Sequence, residues 1–264
     1  MPKKRLIFTL LYSSGNFMFS RNFRLQKVGS LSWLQSNYKF SYTSFSIDEL
    51  IVLDVTRGEK NLADFCQALR CLSEGCFVPI AAGGGVNTIG GARSLLRSGA
   101  DKVVINSALY ENNSFLSDLA SEFGEQCLVA SMDIKASQEG KYQAWSDCGR
   151  TLQPGCASNW IEQVTSNAIG EIYINSIDRD GTGQGYEFTL LDLLPAKMSK
   201  SVILTGGVGN ATHLAEGLTD PRVDAVATAN LFNFVGDGLK QARKELIADG
   251  FELPLWDIGM LEKI

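Results

Sequence analysis

Histidine is almost absent from this sequence, which contains a single residue of that type, His213. This scarcity argues against zinc sites with several histidines and against triads that use histidine as the base. The six cysteines show no C-x-x-C spacing, and a chain of 264 residues does not need disulfides for its stability. We therefore expect no metal, no cofactor and a reducing, cytoplasmic location.

Long apolar runs and basic stripes are also missing. Residues 6–12 follow the basic residues Lys3, Lys4 and Arg5 as in a signal peptide, but no small-residue cleavage site comes next. No run approaches the roughly 18 apolar residues of a membrane span. The net charge is −5, without a Lys/Arg-rich stripe, so neither a membrane nor nucleic acid is an expected partner.

What is present fits an α/β protein. The chain is 45% hydrophobic and 20% charged, with 26 glycines and 6 prolines, which is typical of a globular protein rather than a disordered one. Its 264 residues match the roughly 250 that a (β/α)8 barrel needs. Two small domains remain possible on length alone.

An internal repeat favours the barrel. Segments about 122 residues apart match in type: Gly84-Gly85-Val86 recurs as Gly206-Gly207-Val208, and residues 100–104 recur as residues 223–227. The first apolar run, residues 6–11, falls on residues 128–133 at the same offset. The repeat indicates two related halves.

Each half contains four short, nearly continuous apolar runs, the pattern of strands buried on both faces of a parallel sheet. They lie near residues 5–11, 50–54, 77–82, 102–106, 127–133, 171–176, 201–205 and 223–228. Amphipathic stretches separate them, at residues 62–72, 88–98, 114–123 and 235–248 among others. The βα order throughout predicts a TIM barrel built from two duplicated (β/α)4 halves.

We expect one barrel domain over residues 1–264, with half-barrels at about 1–122 and 123–245 and a C-terminal extension at 246–264. A doubly wound sheet is the alternative, but no G-x-G-x-x-G follows the first strand. Residues 15–46 show little periodicity, and we predict a long loop with a poorly patterned helix there.

Polar residues and glycines follow the predicted strands, where barrel active sites lie. Glycine turns let backbone N–H groups approach an anion, so we predict two facing phosphate sites and a small phosphorylated substrate, with a second phosphate or a carboxylate at its other end. The candidate residues are Gly84, Gly85, Asn106, Asp180, Gly181, Gly206, Gly207, Ala229 and Asn230. The alternative is that these glycines only make tight turns.

Asp133 is the candidate for acid and base chemistry, because it closes an apolar strand and should point into the barrel mouth, where burial tunes its pKa. Lys135 is a nearby source of positive charge. An exposed loop carboxylate is the alternative. The repeat predicts a matching acid in the first half, but that position is Leu11.

Charged residues open four predicted strands at the opposite, amino-terminal face: Arg5, Glu49, Lys102 and Glu171. In a narrow barrel two positive and two negative charges can neutralise one another as a ring, since unpaired burial costs several kcal/mol. A solvated rim of charges is the alternative.

These residues resemble the HisF family, the cyclase subunit of imidazole glycerol phosphate synthase. The similarity covers nearly the whole chain. It is carried by residues 4–7, the IDELIVLD run at 47–54, GGGV and ADKVVIN between 83 and 106, residues 170–172, and SIDRDGT with Gly185 and Tyr186. The combination of SIDRDGT with GGGV and ADKV is specific to that family.

The resemblance implies a (β/α)8 barrel that binds a substrate with two phosphates. It also implies a heterodimer in which a HisH-type glutaminase docks at the amino-terminal face and ammonia travels through the barrel to the mouth. The ring of Arg5, Glu49, Lys102 and Glu171 would gate that passage, and Asp101 matches a residue at the subunit contact. The family reaction converts PRFAR and ammonia into imidazole glycerol phosphate and AICAR.

The chain departs from the family at the catalytic end. Family members use two aspartates, at the ends of the first and fifth strands; Asp133 matches the second, and Leu11 replaces the first. Phe19 stands where the family has a lysine that contacts substrate. A leucine cannot transfer a proton, and loss of one general acid or base costs roughly 10²- to 10⁴-fold in rate.

Three functions follow from these residues. The first is a HisF-like cyclase that uses channelled ammonia, with Asp133 as its acid and base. The second is an ammonia-supplying subunit for converting an acetamido sugar into an acetamidino sugar in surface-polysaccharide biosynthesis, which resembles the setting of HisF-like proteins without the first aspartate. The third is a non-catalytic barrel that activates a glutaminase or acts as a scaffold.

Overall fold

A computed structural model of the chain describes residues 4–37, 44–111, 113–229 and 238–255. In these ranges twelve strands form one sheet. They are β1 (Arg5–Ser13), β2 (Asn16–Arg21), β3 (Arg24–Ser30), β4 (Glu49–Asp54), β5 (Ile80–Gly83), β6 (Lys102–Ile105), β7 (Leu128–Ala136), β8 (Tyr142–Ser146), β9 (Thr151–Leu152), β10 (Glu171–Ser176), β11 (Ser201–Thr205) and β12 (Ala225–Thr228).

Eight of these strands close a parallel barrel. The order β1-β4-β5-β6-β7-β10-β11-β12 is parallel at each step, and β12 returns to β1 with Arg5 opposite Ala225. The predicted TIM barrel is therefore confirmed, and all eight predicted strands fall on barrel strands. Four barrel strands come from each predicted half.

Helices cover the outside of the barrel. They are α1 (Leu31–Asn37), α2 (Leu62–Ser73), α3 (Ile89–Leu96), α4 (Ala108–Glu111), α5 (Asn113–Phe123), α6 (Ala157–Thr165), α7 (Ala211–Thr219) and α8 (Gly238–Ala248). The predicted boundary at 122 lies in α5 and that at 246 lies in α8; residues 235–237 and 256–264 are outside the described ranges. Within those ranges, every helix is too short or too polar to cross a membrane.

The predicted alternation of strand and helix is wrong after β10. The connection to β11 contains a 3-10 helix, Phe188–Leu193, in place of an α-helix. Leu194, which follows it, is extended with ψ 141°. It precedes Pro195, and the proline ring disfavours helical backbone at the preceding residue. The proline therefore keeps this segment from continuing as a helix.

The long loop predicted for residues 15–46 is also wrong in its first half. Strands β2 and β3 form an antiparallel hairpin that continues β1, and α1 follows it; residues 38–43 lie outside the described ranges. Asn22 and Phe23 turn the hairpin with φ values of 48° and 62°. Two left-handed residues match the twist of a hairpin, and asparagine tolerates that conformation well.

Side chains alternate between two apolar regions, because successive residues of a strand point to opposite faces. Leu6, Phe8 and Leu10 of β1 pack outward under the helices. Ile7 points inward and packs with Ile51, Val104 and other residues of the barrel interior. The same alternation carries polar residues at the ends of the strands into the interior.

A buried ion pair attaches the last helix to the amino-terminal side of the barrel. Arg243 of α8 donates to both carboxylate oxygens of Asp48, at 2.7 and 3.0 Å, and the two side chains are 6% and 2% exposed. Asp48 also accepts from the Leu6 backbone N–H at 2.8 Å, and Arg243 donates to the carbonyl of Pro254. Asp48 and Arg243 together thus link β1, α8 and the segment that follows α8.

We expect Asp48→Ala to lower the free energy of unfolding by about 3–5 kcal/mol, because it leaves a buried arginine and a backbone N–H without their partner. Urea unfolding measures this. The control is Asp192→Ala, which removes an exposed partner of Arg222 and should cost less than about 1 kcal/mol. Equal losses in the two variants would contradict the anchoring role of Asp48.

Candidate active site at the carboxyl ends of the strands

A cavity of about 220 Å³ opens at the carboxyl ends of the barrel strands. Six of the predicted site residues line it: Gly84, Gly85, Asn106, Asp133, Asp180 and Ala229. Gly181, Gly206 and Gly207 line a neighbouring cavity of about 20 Å³, which Asp180 and Ala229 also border. Asn230 lies outside the described residues. The barrel therefore brings the described candidates to one mouth.

Asp133 lies at the floor of the larger cavity and is 8% exposed, so it is not the exposed loop carboxylate of the alternative interpretation. Its carboxylate accepts from the side-chain amides of Asn106 at 3.1 Å and Asn175 at 3.2 Å. Burial raises the pKa of Asp133 to about 7, and these two hydrogen bonds oppose the shift. A carboxyl group with this pKa can both give and take a proton near neutral pH.

Lys135 lies on the part of β7 that extends beyond the barrel. Beyond Asp133, β7 leaves the barrel and pairs with β8, with Lys135 opposite Gln143. The lysine is exposed, and its ammonium lies 5.7 Å from the ring centroid of Trp145. Its position indicates a cation–π contact on the β7–β8 hairpin.

Asp180 is engaged by the β2–β3 hairpin. Its Oδ2 accepts from the Ser20 hydroxyl at 2.5 Å and from the Phe23 backbone N–H at 3.0 Å. Burial raises the pKa of Asp180, against the effect of these two bonds. The Asn22 amide donates to the carbonyls of residues 177 and 178, so the hairpin is held across the mouth by protein contacts.

The glycine turns at the two halves have the same geometric origin. Gly84 has φ 117°, and a Cβ there would lie 2.2 Å from the Asp54 carbonyl oxygen. Gly207 has φ 105°, and a Cβ there would lie 2.1 Å from the Gly185 carbonyl oxygen. Close backbone packing thus requires glycine at both turns. This accounts for the repeated glycines without a ligand, and phosphate binding at the turns stays a prediction.

A closed ring of ion pairs lies at the amino-terminal end of the barrel. Arg5 contacts Glu49 at 2.7 Å and Glu171 at 2.9 Å, and Lys102 contacts Glu49 at 2.9 Å and Glu171 at 3.2 Å. Each charge has two neighbours of opposite sign. Burial raises the pKa of Glu49, and the positive charges of Lys102 and Arg5 oppose this shift. The arrangement is the predicted ring, and the alternative of a solvated rim does not describe it.

A layer of hydroxyl groups lies between the ring and Asp133, and sequence reasoning missed it. Tyr173 points into the barrel and is hydrogen-bonded to Thr9 at 3.3 Å and to Thr205 at 3.2 Å. All three side chains are at most 3% exposed. The available signal was their spacing, since each lies an even number of residues from another inward position on its strand, such as Ile7 or Glu171.

Leu11 and Phe19 stand at the two positions where the resemblance predicts a departure from the family. Leu11 is the last inward residue of β1 to line the larger cavity, and it is 9% exposed. Phe19 lies on β2 and lines the smaller cavity beside Gly206 and Gly207. Both bring apolar groups to the mouth.

Asp101, the residue that matches a subunit contact, precedes β6 and is exposed. One of its carboxylate oxygens accepts from the Ile80 backbone N–H at 2.8 Å. It therefore fixes the start of β5 on the amino-terminal side, the side of the ring.

The pKa of Asp133 makes stability depend on pH. Asp133 stays protonated in the folded state up to about pH 7, whereas its ordinary pKa is 3.8. The protonated carboxyl group therefore stabilises the folded state at low pH, and this contribution to the free energy of unfolding is lost as the pH rises from about 4 to about 7. Asp133→Asn removes the titration. As the pH rises from about 4 to about 8, we expect the free energy of unfolding of Asp133→Asn, relative to that of the parent, to increase by on the order of 2–4 kcal/mol.

Chemical unfolding at both pH values measures the change. Asp249→Asn, which alters an exposed carboxylate after α8, is the control and should show little change. A pH-independent difference between Asp133→Asn and the parent would contradict the raised pKa.

Comparison with known proteins agrees with this architecture. A family model described as "Histidine biosynthesis protein" matches residues 36–236. A curated protein of Parasynechococcus marenigrum (strain WH8102), named "Putative imidazole glycerol phosphate synthase subunit hisF2", is 44% identical over 245 residues, which cover 93% of this chain and 91% of that protein. The chain belongs to the histidine biosynthesis protein family, in which it is a HisF-like protein.

Proposed function

We propose that the chain is the ammonia-using synthase subunit of a two-component glutamine amidotransferase and that it acts on a phosphorylated acceptor. The observation that carries this proposal is the pairing of two features in one barrel. A closed ring of four charges lies at the amino-terminal end, and a carboxyl group with a pKa of about 7 lies at the other.

Closing the barrel with four charged side chains is energetically unfavourable compared with closing it with apolar ones. Taking charges out of water costs several kcal/mol each, and apolar side chains of similar volume would fill the same space at least as well. Glu49 is 2% exposed, and its Oε1 has no hydrogen-bond partner among the described residues. A ring that keeps an unsatisfied buried oxygen is better explained by passage of a small polar molecule than by stability.

The inward side chains give such a molecule a partly polar route. Above the ring lies an apolar layer that includes Ile7 and Ile51. The hydroxyls of Thr9, Tyr173 and Thr205 follow it and line the mouth cavity together with Ser131 and Asp133. Ammonia can donate to and accept from hydroxyl groups. Asp133, with a pKa of about 7, is suited to take the proton that an attacking ammonia releases and to return one to a leaving group.

The source of ammonia is proposed to be a HisH-type glutaminase bound at the amino-terminal face. The single histidine of this chain lies on α7, where its Nδ1 accepts from the Gly209 backbone N–H at 3.1 Å. It is thus engaged in the local structure of that helix and is poorly placed to serve as the base of a glutaminase triad. A second chain is needed to hydrolyse glutamine.

The acceptor distinguishes two candidate functions. PRFAR is the acceptor in the family reaction, and cyclisation there uses two aspartates. Leu11 at the cavity favours the second candidate, amidation of an acetamido sugar, because a leucine cannot replace the first aspartate as acid or base. Under that hypothesis the hairpin residues need not fit PRFAR.

Turnover of PRFAR with saturating ammonium salt at alkaline pH tests the acceptor without the glutaminase. If PRFAR is the acceptor, Leu11→Asp should exceed the parent by about 10²-fold or more, because it restores a second carboxyl group. Asp133→Asn on that background should lower the rate by roughly 10²- to 10⁴-fold. Leu11→Asn is the matched control, since it adds a polar group of the same shape that cannot ionise.

An enzymatic rate in the parent chain would show a true cyclase with another group in place of the first aspartate. If neither chain turns over PRFAR, the acetamido sugar becomes the acceptor to test. If Asp133→Asn leaves every rate unchanged, Asp133 is not part of the mechanism.

The ring is tested by the double variant Lys102→Ala/Glu171→Ala, which removes one charge of each sign. In an assay with the glutaminase, we expect the rate of glutamine-driven product formation, or the amount of product formed per glutamine hydrolysed, to fall about 10-fold. Product formation from free ammonia, which enters at the mouth, should stay within about 2-fold of the parent.

Lys200→Ala/Glu125→Ala is the control, because it removes a surface pair of the same composition, 3.3 Å apart. Equal losses in the glutamine-driven and ammonia-driven assays would show that the ring is a structural element and not a gate.

A further inference from the structure

The two glycine turns, which the repeat predicts to be equivalent phosphate sites, have different surroundings. The turn at Gly84 and Gly85 opens to the cavity of about 220 Å³. The turn at Gly206 and Gly207 borders the cavity of about 20 Å³. One ordered water needs about 10–15 Å³ on such a measure, so the smaller space holds little more than a water molecule.

Positive charge lies at the first turn. The stem of Lys60 covers Gly85, with its Cδ 2.7 Å from the point where a Cβ on Gly85 would lie. The Lys60 ammonium donates to the Asp54 carbonyl and lies 3.7 Å from the Asp54 carboxylate, and its side chain is 24% exposed. Arg57 lines the same cavity and donates to the Phe23 carbonyl. Lys60 thus lies at this turn, and Arg57 is a second cation of the same cavity, which five carboxylates also line: Asp54, Glu111, Asp133, Asp147 and Asp180.

The second turn has the opposite character. Phe19 of β2 lies against it, and among the described residues that border the small cavity the one charged side chain is the carboxylate of Asp180. Arg179 is close to Gly207, but its guanidinium pairs with Glu187 at 3.0 Å and donates to the Gln184 carbonyl. Asp180 also lines the large cavity, so the difference between the two turns lies in the small volume at the second and in Phe19, whose ring offers no partner to a phosphate dianion.

We propose that the mouth binds an acceptor with a single phosphate, held at the turn of Gly84 and Gly85 by Lys60 and Arg57, and that Phe19 closes the equivalent turn to phosphate. The rest of the acceptor then meets the apolar part of the large cavity, formed by Leu11, Phe23, Leu25 and Leu53. An uncharged group of the acceptor fits that wall better than a second dianion does.

This inference rests on the proposed function for the role of the ligand as ammonia acceptor, but phosphate binding can be measured without any reaction. The probes are inorganic phosphate and fructose bisphosphate, followed by titration calorimetry on the full chain. We expect one phosphate site in the parent. Lys60→Met keeps the stem over Gly85 and removes the charge, and it should weaken phosphate binding at least about 10-fold.

Phe19→Lys should create a second phosphate site and strengthen fructose bisphosphate binding by about 10-fold relative to inorganic phosphate. Phe19→Leu is its matched control and should add no site. Lys200→Met is the control for Lys60→Met. Thermal unfolding of each variant shows whether it is folded, and Lys60→Gln replaces Lys60→Met if that variant is not.

Two equal phosphate sites in the parent, no phosphate site, or a site that is insensitive to both Lys60 variants would each overturn the inference. The proposed function fails separately, if ammonia is not incorporated into any acceptor while phosphate binds once. Conversely, efficient turnover of PRFAR by the parent chain would overturn the single-phosphate inference and leave the ammonia-using function intact.

Discussion

The interior of a closed eight-stranded barrel has room for few side chains, and the rest of the structure depends on which residues fill it. Each strand sends alternate residues inward, so a strand of four to nine residues contributes only a few of them. Here they form successive layers of charged, apolar and hydroxyl-bearing groups, with Asp133 at the top. Charges at the amino-terminal end must pair with one another, because water cannot solvate them fully. The same exclusion of water raises the pKa of Asp133 to about 7.

This constraint explains what could be predicted from the sequence. Strands buried on both faces appear as apolar runs, and a polar residue that closes or opens such a run has to lie at one end of the barrel. Asp133 and the four ring residues were found in that way. The internal repeat fixed which strands are equivalent. Each of these predictions follows from one strand at a time and needs no knowledge of loop geometry.

The parts that were missed depend on contacts between distant segments. The β2–β3 hairpin has a weak pattern because it lies over the mouth, where Phe17 is buried and its neighbours are partly exposed. Asp180 lines the mouth, and its contact with substrate stays a prediction, but the sequence gives no sign that Ser20 and Phe23, about 160 residues earlier, donate to its Oδ2. After β10 a 3-10 helix stands in place of the expected α-helix, and Pro195 accounts only for its end at Leu194. The layer of Thr9, Tyr173 and Thr205 is made by three different strands, so the spacing along each strand indicates that its residue points inward but not that the three meet.

The two halves of the barrel show how one backbone arrangement can serve different chemistry. Close approach of backbone atoms requires glycine at the equivalent positions Gly84 and Gly206, where a Cβ would lie 2.2 and 2.8 Å from a backbone carbonyl oxygen, so packing explains this part of the repeat whether or not a ligand binds. Side chains that surround the turns are not under that constraint. Lys60 lies beside the first turn, and Phe19, on strand β2 of the hairpin after β1, lies beside the second. Leu11 lies on the strand that leads into this hairpin. One continuous segment, the end of β1 and the hairpin that follows it, therefore brings apolar side chains to both cavities of the mouth, while the ring at the other face is made by different residues of the strands and has its full set of ion pairs.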